Sequence, residues 1–228
     1  MDAAAAGRWV ELIAARLKIE RHYLTQLDAA IGDADHGVNM DRGFAAAIGR
    51  VAELDHPSPG ELLATVGRTI VAVVGGASGP LYGSAFLAAG QTLGDAPDVS
   101  AEGLAGALRS GLEAVQRRGA ATEGDKTMVD AWAPALAAFE AEVGRGGSLP
   151  TAAGAAAAAA TDGMRATVPL VARKGRASYL GTRSVGHQDP GATSTALIFA
   201  ALAQTFAETG GGADGRPPHG FGPPLRLG

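Results

Sequence analysis

Apolar residues recur at the spacing of an amphipathic helix along most of the chain, and the alternation typical of a strand is scarce. The first stripe runs from about residue 3 to 27, and a second begins near Asn39. A third has a strong start signal, because Ser58 can cap the helix, Pro59 fits its first position and Glu61 completes a capping box. These patterns predict helices in the first third of the chain.

The remaining sequence continues the helical pattern almost to the C-terminus. We predict a fourth helix from Pro80 to about Gly90, a fifth capped by Ser100 and ending at Gly119, a sixth begun by Thr127 with Asp130, a seventh in the alanine run between Pro150 and Pro169, and an eighth from near Thr193. Pro134 leaves the start of the sixth helix open, because proline inside a helix removes a hydrogen bond. The sequence therefore predicts an all-α fold of about eight helices.

An α/β fold is the main alternative, because the segment TIVAVV over Thr69–Val74 could be a buried strand that leads into the loop GGASG. A doubly wound sheet needs about five such strands alternating with helices, and few other candidates occur. The capping box at Ser58 places this segment at the end of a helix. We therefore favour one all-α domain over residues 1–208, followed by a Gly/Pro-rich tail over residues 209–228 with too little apolar surface to order itself.

Composition and charge exclude several classes of protein and of binding partner. The chain contains no cysteine, which excludes disulfide scaffolds, thiolate zinc sites and cysteine nucleophiles. A net charge of −4 gives no basic surface for nucleic acid or an acidic membrane. No stretch is apolar for long enough to span a bilayer, and Asp2, Arg8 and Glu11 do not fit a secretory signal. We expect a soluble, cytoplasmic protein with no nucleic-acid or membrane partner.

Three aspartates, Asp28, Asp33 and Asp35, fall within a short stretch at a predicted helix end. Carboxylates this close repel unless a cation neutralises them, and oxygen-only ligands favour Mg²⁺ or Ca²⁺. An EF-hand does not fit, because Val38 stands where that loop needs glycine and Phe44 where it needs glutamate. A solvated turn with helix-capping duties is the alternative, but the clustering favours a metal that also binds a nucleotide's phosphates.

Glycine-rich loops supply further candidates. The loop Gly75–Pro80 offers backbone N–H groups and a hydroxyl at a helix N-terminus, which suits an anion, although this loop alone fits a tight turn between helices better. The chain holds no Walker A motif. Lys126 lies in the polar segment Gly119–Met128, and a long loop, Gly175–Gly191, is either functional or disordered. His36 and His187 fit proton transfer less well than ordinary hydrogen bonding.

Four segments, LDAAIGDADHGVNM, GGASGPLYG, GDKTMVDAW and RASYLGTRSVGHQDPGATS, occur in an order that resembles the nucleotide-binding L subunit (DhaL type) of dihydroxyacetone kinases. The resemblance covers about residues 5–208. It implies a closed barrel of about eight antiparallel helices, with the nucleotide site at one rim. It also implies ADP or ATP as the bound nucleotide, tied to the protein through two Mg²⁺ ions.

The same resemblance implies roles for individual residues. The metal ligands would be Asp28, Asp33 and Asp35, and the nucleotide would be bound by His36, Gly37, Val38, Asn39, Ala77, Ser78, Gly79, Gly119, Met128, Arg176, Asp189, Pro190 and Gly191. No catalytic side chain is assigned, because transfer would be metal-assisted, and Lys126 is given no contact. Ala34 stands where the family usually has glycine, so a positive φ there would cost stability.

The resemblance also implies partners. The family's substrate domain is not in this chain, so we expect a separate K-type subunit that holds dihydroxyacetone, and a phosphohistidine phosphocarrier (M-type) that rephosphorylates bound ADP. A transcription regulator is a possible further partner. Three alternatives stay open: freely exchanging ATP, a related ketose such as erythrulose as substrate, and a nucleotide-sensing protein without turnover.

Overall fold

The computed structural model describes residues 1–210, with side chains described for residues 1–208. In this part of the chain the elements are α1 (Ala3–Ile19), α2 (Arg21–Ile31), α3 (His36–Val51), α4 (Pro59–Val73), α5 (Ser78–Leu93), α6 (Ala101–Gly119), α7 (Val129–Gly144), α8 (Leu149–Ala166), a 3₁₀ helix (Arg176–Ser184) and α9 (Pro190–Gly210). The described residues include no strand beyond one isolated bridge between Asp2 and Asp98. The prediction of an all-α fold is confirmed.

Eight of these helices form a closed ring. Neighbours pack in the order α1, α3, α4, α5, α6, α7, α8 and α9, and α9 returns to α1, while α2 packs against α3 and α9. Consecutive helices run antiparallel: Gly60 near the start of α4 approaches Gly94 after α5, and Gly67 further along α4 approaches Gly83. Side chains such as Phe44 and Phe199 fill the interior and are completely buried. The predicted barrel of eight antiparallel helices is therefore confirmed.

The first predicted helix is two helices in the structure. Glu20 leaves helical geometry (φ −88°, ψ 5°), so that α1 ends at Ile19 and α2 begins at Arg21. Leu17 and Leu24 lie on opposite sides of this break, and both are fully buried. Both helices bury an apolar face in the same core, so the helical spacing of apolar residues continues across the break. The spacing therefore does not reveal that the helix ends at Ile19.

The sequence left the structure of two segments open, Thr69–Val74 and Gly175–Gly191. Thr69–Val74 is helical as far as Val73, so the α/β alternative is wrong. The long loop Gly175–Gly191 contains a 3₁₀ helix that periodicity did not predict. It is short and kinked at Gly181 (φ 55°), and a pattern of about 3.6 residues cannot detect such a segment.

The helix caps that the sequence predicted at Ser58 and Ser100 are confirmed. The Oγ atoms of Ser58 and Ser100 accept hydrogen bonds from the backbone N–H of Glu61 (3.0 Å) and Gly103 (3.1 Å). Asp130 accepts a bond from the N–H of Thr127 (2.7 Å) as α7 begins, and α7 then continues through Pro134. These hydrogen bonds help to fix the starts of α4, α6 and α7.

Residues 211–228, which make up most of the predicted tail, lie outside the described part of the chain. Helix α9 includes the first two positions that the sequence assigned to that tail. None of the helices among the described residues is both long and apolar enough to cross a bilayer. The expected cytoplasmic location stays a prediction.

Candidate functional site

The three aspartates converge at one end of the ring. Asp28 lies in the last turn of α2, and Asp33 and Asp35 lie in the turn that leads to α3. One carboxylate oxygen from each lies within 4.8 Å of the others, and Asp28 is only 8% exposed. Three carboxylates this close are unfavourable without a cation, and their oxygen atoms are ligands that Mg²⁺ and Ca²⁺ prefer.

Hydrogen bonds and one glycine leave a free oxygen on Asp28. Its Oδ2 atom accepts bonds from the backbone N–H groups of Asp35 (2.8 Å) and His36 (3.1 Å) at the start of α3. A Cβ atom at Gly32 would lie 1.9 Å from Asp28 Oδ1, so only glycine leaves that oxygen accessible. Asp28 therefore caps a helix with one oxygen and offers the other to a ligand, and this donor set fits a hard divalent cation.

The backbone of the acidic turn is strained at Ala34. Its φ is +63°, in the left-handed region that favours glycine. The condition under which Ala34 would cost stability, a positive φ, is therefore met. Because Ala34 is exposed, its methyl group gains little from packing that would offset the strain.

Arg176 forms an ion pair with the acidic cluster. Its Nε atom lies 2.8 Å from Asp33 Oδ2, across the gap between the 3₁₀ helix and the α2–α3 turn. It is the only cation that pairs with these three aspartates among the described residues. The cluster thus keeps a net negative charge, and Arg176 is placed to contact an anion bound beside it.

The loop between α4 and α5 faces the acidic cluster. Gly76 adopts a positive φ of 66° that lets the chain turn sharply before Ser78 begins α5. No side chain caps α5, so the N–H groups of its first turn lack intrahelical partners. A helix N-terminus of this kind favours an anion such as a phosphate.

His36 joins three helices through its ring. Its Nδ1 lies 3.0 Å from Ser78 Oγ on α5, and its Nε2 lies 2.9 Å from Ser194 Oγ on α9. Burial lowers the pKa of His36 to about 4, although the charges of Asp28 and Asp33 act to raise it. The imidazole is therefore neutral at pH 7 and orients the Ser78 hydroxyl toward the cleft.

Tyr82 extends this network behind the histidine. Its hydroxyl donates to Gly191 O (2.9 Å) and lies 2.6 Å from Ser194 Oγ and 2.9 Å from Thr195 Oγ1. Burial raises the pKa of Tyr82, so the group stays a phenol. The network holds α3, α5 and α9 in fixed positions around the acidic cluster.

These groups line one cleft of about 270 Å³. Of the residues that the resemblance implicated, those lining it are Asp28, Asp33, Asp35, His36, Ala77, Ser78, Gly119, Met128, Arg176, Asp189, Pro190 and Gly191. The other members lie beside the cleft. Gly37 and Gly79 pack tightly against backbone oxygens of Arg21 and Val74, Asn39 is buried and accepts a bond from Arg42, and Val38 is 38% exposed.

Asp189 and Met128 also line the cleft. Asp189 Oδ2 accepts a bond from Ala192 N (2.6 Å) at the start of α9, and burial raises the pKa of this carboxyl to about 7. A Cβ at Gly191 would lie 3.6 Å from that of Met128, so the two residues are in contact. Met128 gives this part of the cleft an apolar surface that suits a planar base, whereas the acidic cluster and the start of α5 suit metal-bound phosphates.

Sequence reasoning assigned no role to three residues of this region. Tyr82 and Ser194 carry the network behind His36, and nothing in a helical apolar pattern marks them. Lys126 lines the cleft and is 1% exposed, with its ammonium group bound by backbone carbonyls. It was visible as one of three lysines, within a glycine-flanked polar segment. His187 is exposed and absent from the cleft wall.

Known proteins match this chain in sequence and in fold. It is 43% identical over 189 residues to the PEP-dependent dihydroxyacetone kinase, ADP-binding subunit DhaL, of Escherichia coli, covering 83% of this chain and 90% of that protein. A subunit of the same description from Listeria innocua is 42% identical over 200 residues, covering 88% and 95%. The crystal structure of the dihydroxyacetone kinase from C. freundii in complex with AMP-PNP and Mg²⁺ is 31% identical, with a TM-score of 0.68.

The last match covers 90% of this chain but only 34% of the kinase, so the chain spans about a third of that protein's length. The model of the DAK2 domain matches residues 30–204, which include the acidic turn, the loop before α5 and the start of α9. The chain belongs to the DAK2-domain family.

Proposed function

We propose that this chain is the ADP-binding subunit of a PEP-dependent dihydroxyacetone kinase. It would hold a nucleotide with Mg²⁺ in the cleft and pass a phosphoryl group to dihydroxyacetone on a separate K-type subunit. The convergence of three aspartates on one point beside an uncapped helix N-terminus carries the proposal. The similarity over nearly the whole length of the DhaL subunits supports it.

Asp28, Asp33 and Asp35 are the proposed metal ligands, and two Mg²⁺ ions are the proposed number. Bound Mg²⁺ would neutralise the charge that develops on the transferring phosphoryl group. The protein's contribution is positional: Gly32 leaves Asp28 Oδ1 accessible, and two backbone N–H groups fix the other oxygen. A site of this kind needs no Walker lysine, which agrees with the absence of that motif from the sequence.

The phosphates would lie against the starts of α3 and α5. Ala77, Ser78 and Gly79 would offer N–H groups and the Ser78 hydroxyl, which His36 orients. Gly37 and Val38 lie in the first turn of α3, where N–H groups have no intrahelical acceptor, and Asn39 follows them. The base and ribose would lie against Gly119, Met128, Arg176, Asp189, Pro190 and Gly191.

We also propose how the subunit is organised and supplied. Residues 1–208 form the nucleotide-binding domain, and residues 209–228 follow it as a tail. The K-type subunit and an M-type phosphohistidine carrier would both reach the nucleotide through the cleft opening. The PEP dependence of the E. coli and Listeria relatives supports a bound ADP that is rephosphorylated in place. A transcription regulator as a further partner stays a prediction.

Reconstitution tests the proposal. The chain is mixed with a K-type subunit, dihydroxyacetone and a phosphohistidine donor, and formation of dihydroxyacetone phosphate is measured. We expect product only when the chain, Mg²⁺ and ADP are all present. Product that forms at the same rate without this chain would overturn the proposal.

A carboxylate substitution tests the ligand assignment separately. Asp33→Asn should abolish Mg²⁺-dependent ADP binding in calorimetry, because it removes one ligand charge from the cluster. Asp55→Asn is the matched control, because that side chain is 95% exposed in the α3–α4 connection. Unchanged ADP affinity in Asp33→Asn would reject the metal assignment, while the kinase proposal would still depend on the reconstitution.

A further inference from the structure

Lys126 is a buried cation surrounded by backbone oxygens. Its side chain is 1% exposed, and its Nζ lies within hydrogen-bonding distance of five carbonyl oxygens, which share its three N–H groups. These are the carbonyls of Thr167 (2.9 Å), Val168 (3.4 Å), Leu170 (3.1 Å), Ser184 (2.8 Å) and His187 (2.5 Å). No carboxylate forms an ion pair with it among the described residues.

The five carbonyls come from the two ends of one loop. Three follow α8, over residues 167–170, and two precede α9, over residues 184–187. Only a few other bonds join these ends, such as Gly186 N to Val168 O (2.8 Å) and Ala172 N to Ser184 Oγ (2.8 Å). The ammonium of Lys126 therefore closes the base of the loop.

This loop carries one wall of the cleft. Lys174, Gly175, Arg176 and Ala177 line the cleft from its middle, and Asp189 follows its far end. Arg173 N also donates to Asp125 O (3.0 Å), so the loop is fastened to the segment that contains Lys126. Displacing the base of the loop would move this whole wall.

A converging set of carbonyl oxygens is a site for a positive charge. Their dipoles place partial negative charge at one point, as in the carbonyl rings that replace the hydration shell of K⁺. Lys126 reaches this point from a backbone with φ +63°, a strained conformation for a lysine. Burial lowers the pKa of Lys126, while the charges of Asp189 and Asp130 act to raise it.

We propose that Lys126 is a built-in monovalent cation, a positioning residue whose ammonium assembles the loop that forms one wall of the nucleotide cleft. The inference rests on the proposed function for its effect on nucleotide affinity. Its structural part, that a positive hydrogen-bond donor holds the loop ends together, is independent of what the cleft binds.

The first experiment compares Lys126→Met with Lys18→Met, which removes the same charge from an exposed position on α1. Calorimetry measures the binding of ADP in the presence of Mg²⁺. Hydrogen exchange measures how well the backbone amides of each segment are protected from solvent. In Lys126→Met we expect the backbone amides of residues 167–189 to lose more of their protection than those of any other segment. We also expect ADP to bind about 10-fold or more weakly, since only a minor population then has the loop positioned to form the cleft wall. Lys18→Met should match the wild type in both measurements.

The second experiment asks whether a free cation can replace the side chain. Lys126→Ala is measured in ammonium chloride and in tetramethylammonium chloride at equal ionic strength. We expect ammonium, which donates hydrogen bonds, to restore loop protection and most of the ADP affinity, and tetramethylammonium to restore neither. If the variant does not fold, the same salts are present during refolding, and recovery in ammonium alone is expected.

Two results would overturn the inference: wild-type loop protection in Lys126→Met, or equal behaviour of Lys126→Ala in the two salts. The failure of the proposed function looks different. In that case the wild-type chain does not bind ADP with Mg²⁺, while the loss of loop protection in Lys126→Met and its recovery in Lys126→Ala by ammonium still occur.

Discussion

Replacing Ala34 by glycine should stabilise the protein, although it removes a side-chain atom. Ala34 lies in the acidic turn with φ +63°, and its methyl group is exposed. A residue with a Cβ in this left-handed region costs roughly 1–2 kcal/mol relative to an allowed conformation. Glycine adopts the same backbone without that cost.

The gain is partly offset in the unfolded chain. Glycine has more unfolded conformations than alanine, which costs about 0.4–1 kcal/mol on folding. The difference between these ranges centres on about 0.8 kcal/mol in favour of Ala34→Gly. For a chain of this length that corresponds to a rise of about 2 °C in Tm.

Chemical and thermal denaturation of the metal-free protein measure this effect. The matched control is Ala15→Gly, an exposed alanine inside α1 with ordinary helical geometry, which should destabilise by about 1 kcal/mol. The two substitutions are chemically identical, so opposite signs isolate the backbone conformation. A loss of stability in Ala34→Gly similar to that in Ala15→Gly would show that the backbone at Ala34 is not strained.

Packing, hydrogen bonding and charge each lead to a further prediction. Gly67→Ala should destabilise the protein by about 2 kcal/mol or more, because the new Cβ would lie 2.4 Å from Leu87 N. Gly49→Ala is the control: no atom lies near its Cβ position, and it should stabilise the protein by about 0.5–1 kcal/mol in the same chemical denaturation measurement. Tyr82→Phe should cost about 1–3 kcal/mol of unfolding free energy, because Ser194 and Gly191 lose a buried partner; an unchanged value would argue against the network. Burial raises the pKa of Asp189 from 3.8 to about 7, so the native state binds this proton more tightly, and stability falls as the pH rises from about 4 through 7. Asp189→Asn should remove that fall in a pH series of Tm values, and a parallel pH profile would contradict it.

Much of the fold was predictable from the sequence because its signals are local. Apolar spacing and the caps at Ser58 and Ser100 depend on residues a few positions apart, and both caps are present. The break at Glu20 was not predictable, because α1 and α2 bury the same stripe of apolar residues. The 3₁₀ helix was missed because its geometry depends on glycine turns and on distant contacts with Lys126.

In the candidate site, too, the segments that are contiguous in sequence were predictable, and the contacts between distant residues were not. The acidic turn and the loop before α5 could be found because each is contiguous, with its aspartates or glycines close in sequence. Ser194 contacts His36 across 158 residues of sequence, and Tyr82 contacts Ser194 from α5, so apolar spacing does not reveal this network. The carbonyl partners of Lys126 are likewise backbone atoms, which carry no signal in side-chain identity.

Diffraction from crystals grown with Mn²⁺ and ADP would locate the metal ions that we assign to the three aspartates. Mn²⁺ prefers the same oxygen ligands as Mg²⁺ and gives an anomalous signal that identifies it. We expect anomalous peaks between the carboxylates of Asp28, Asp33 and Asp35 and the phosphates of ADP. ADP bound in the cleft with its phosphates held by protein groups alone, and no peak at these carboxylates, would contradict this assignment.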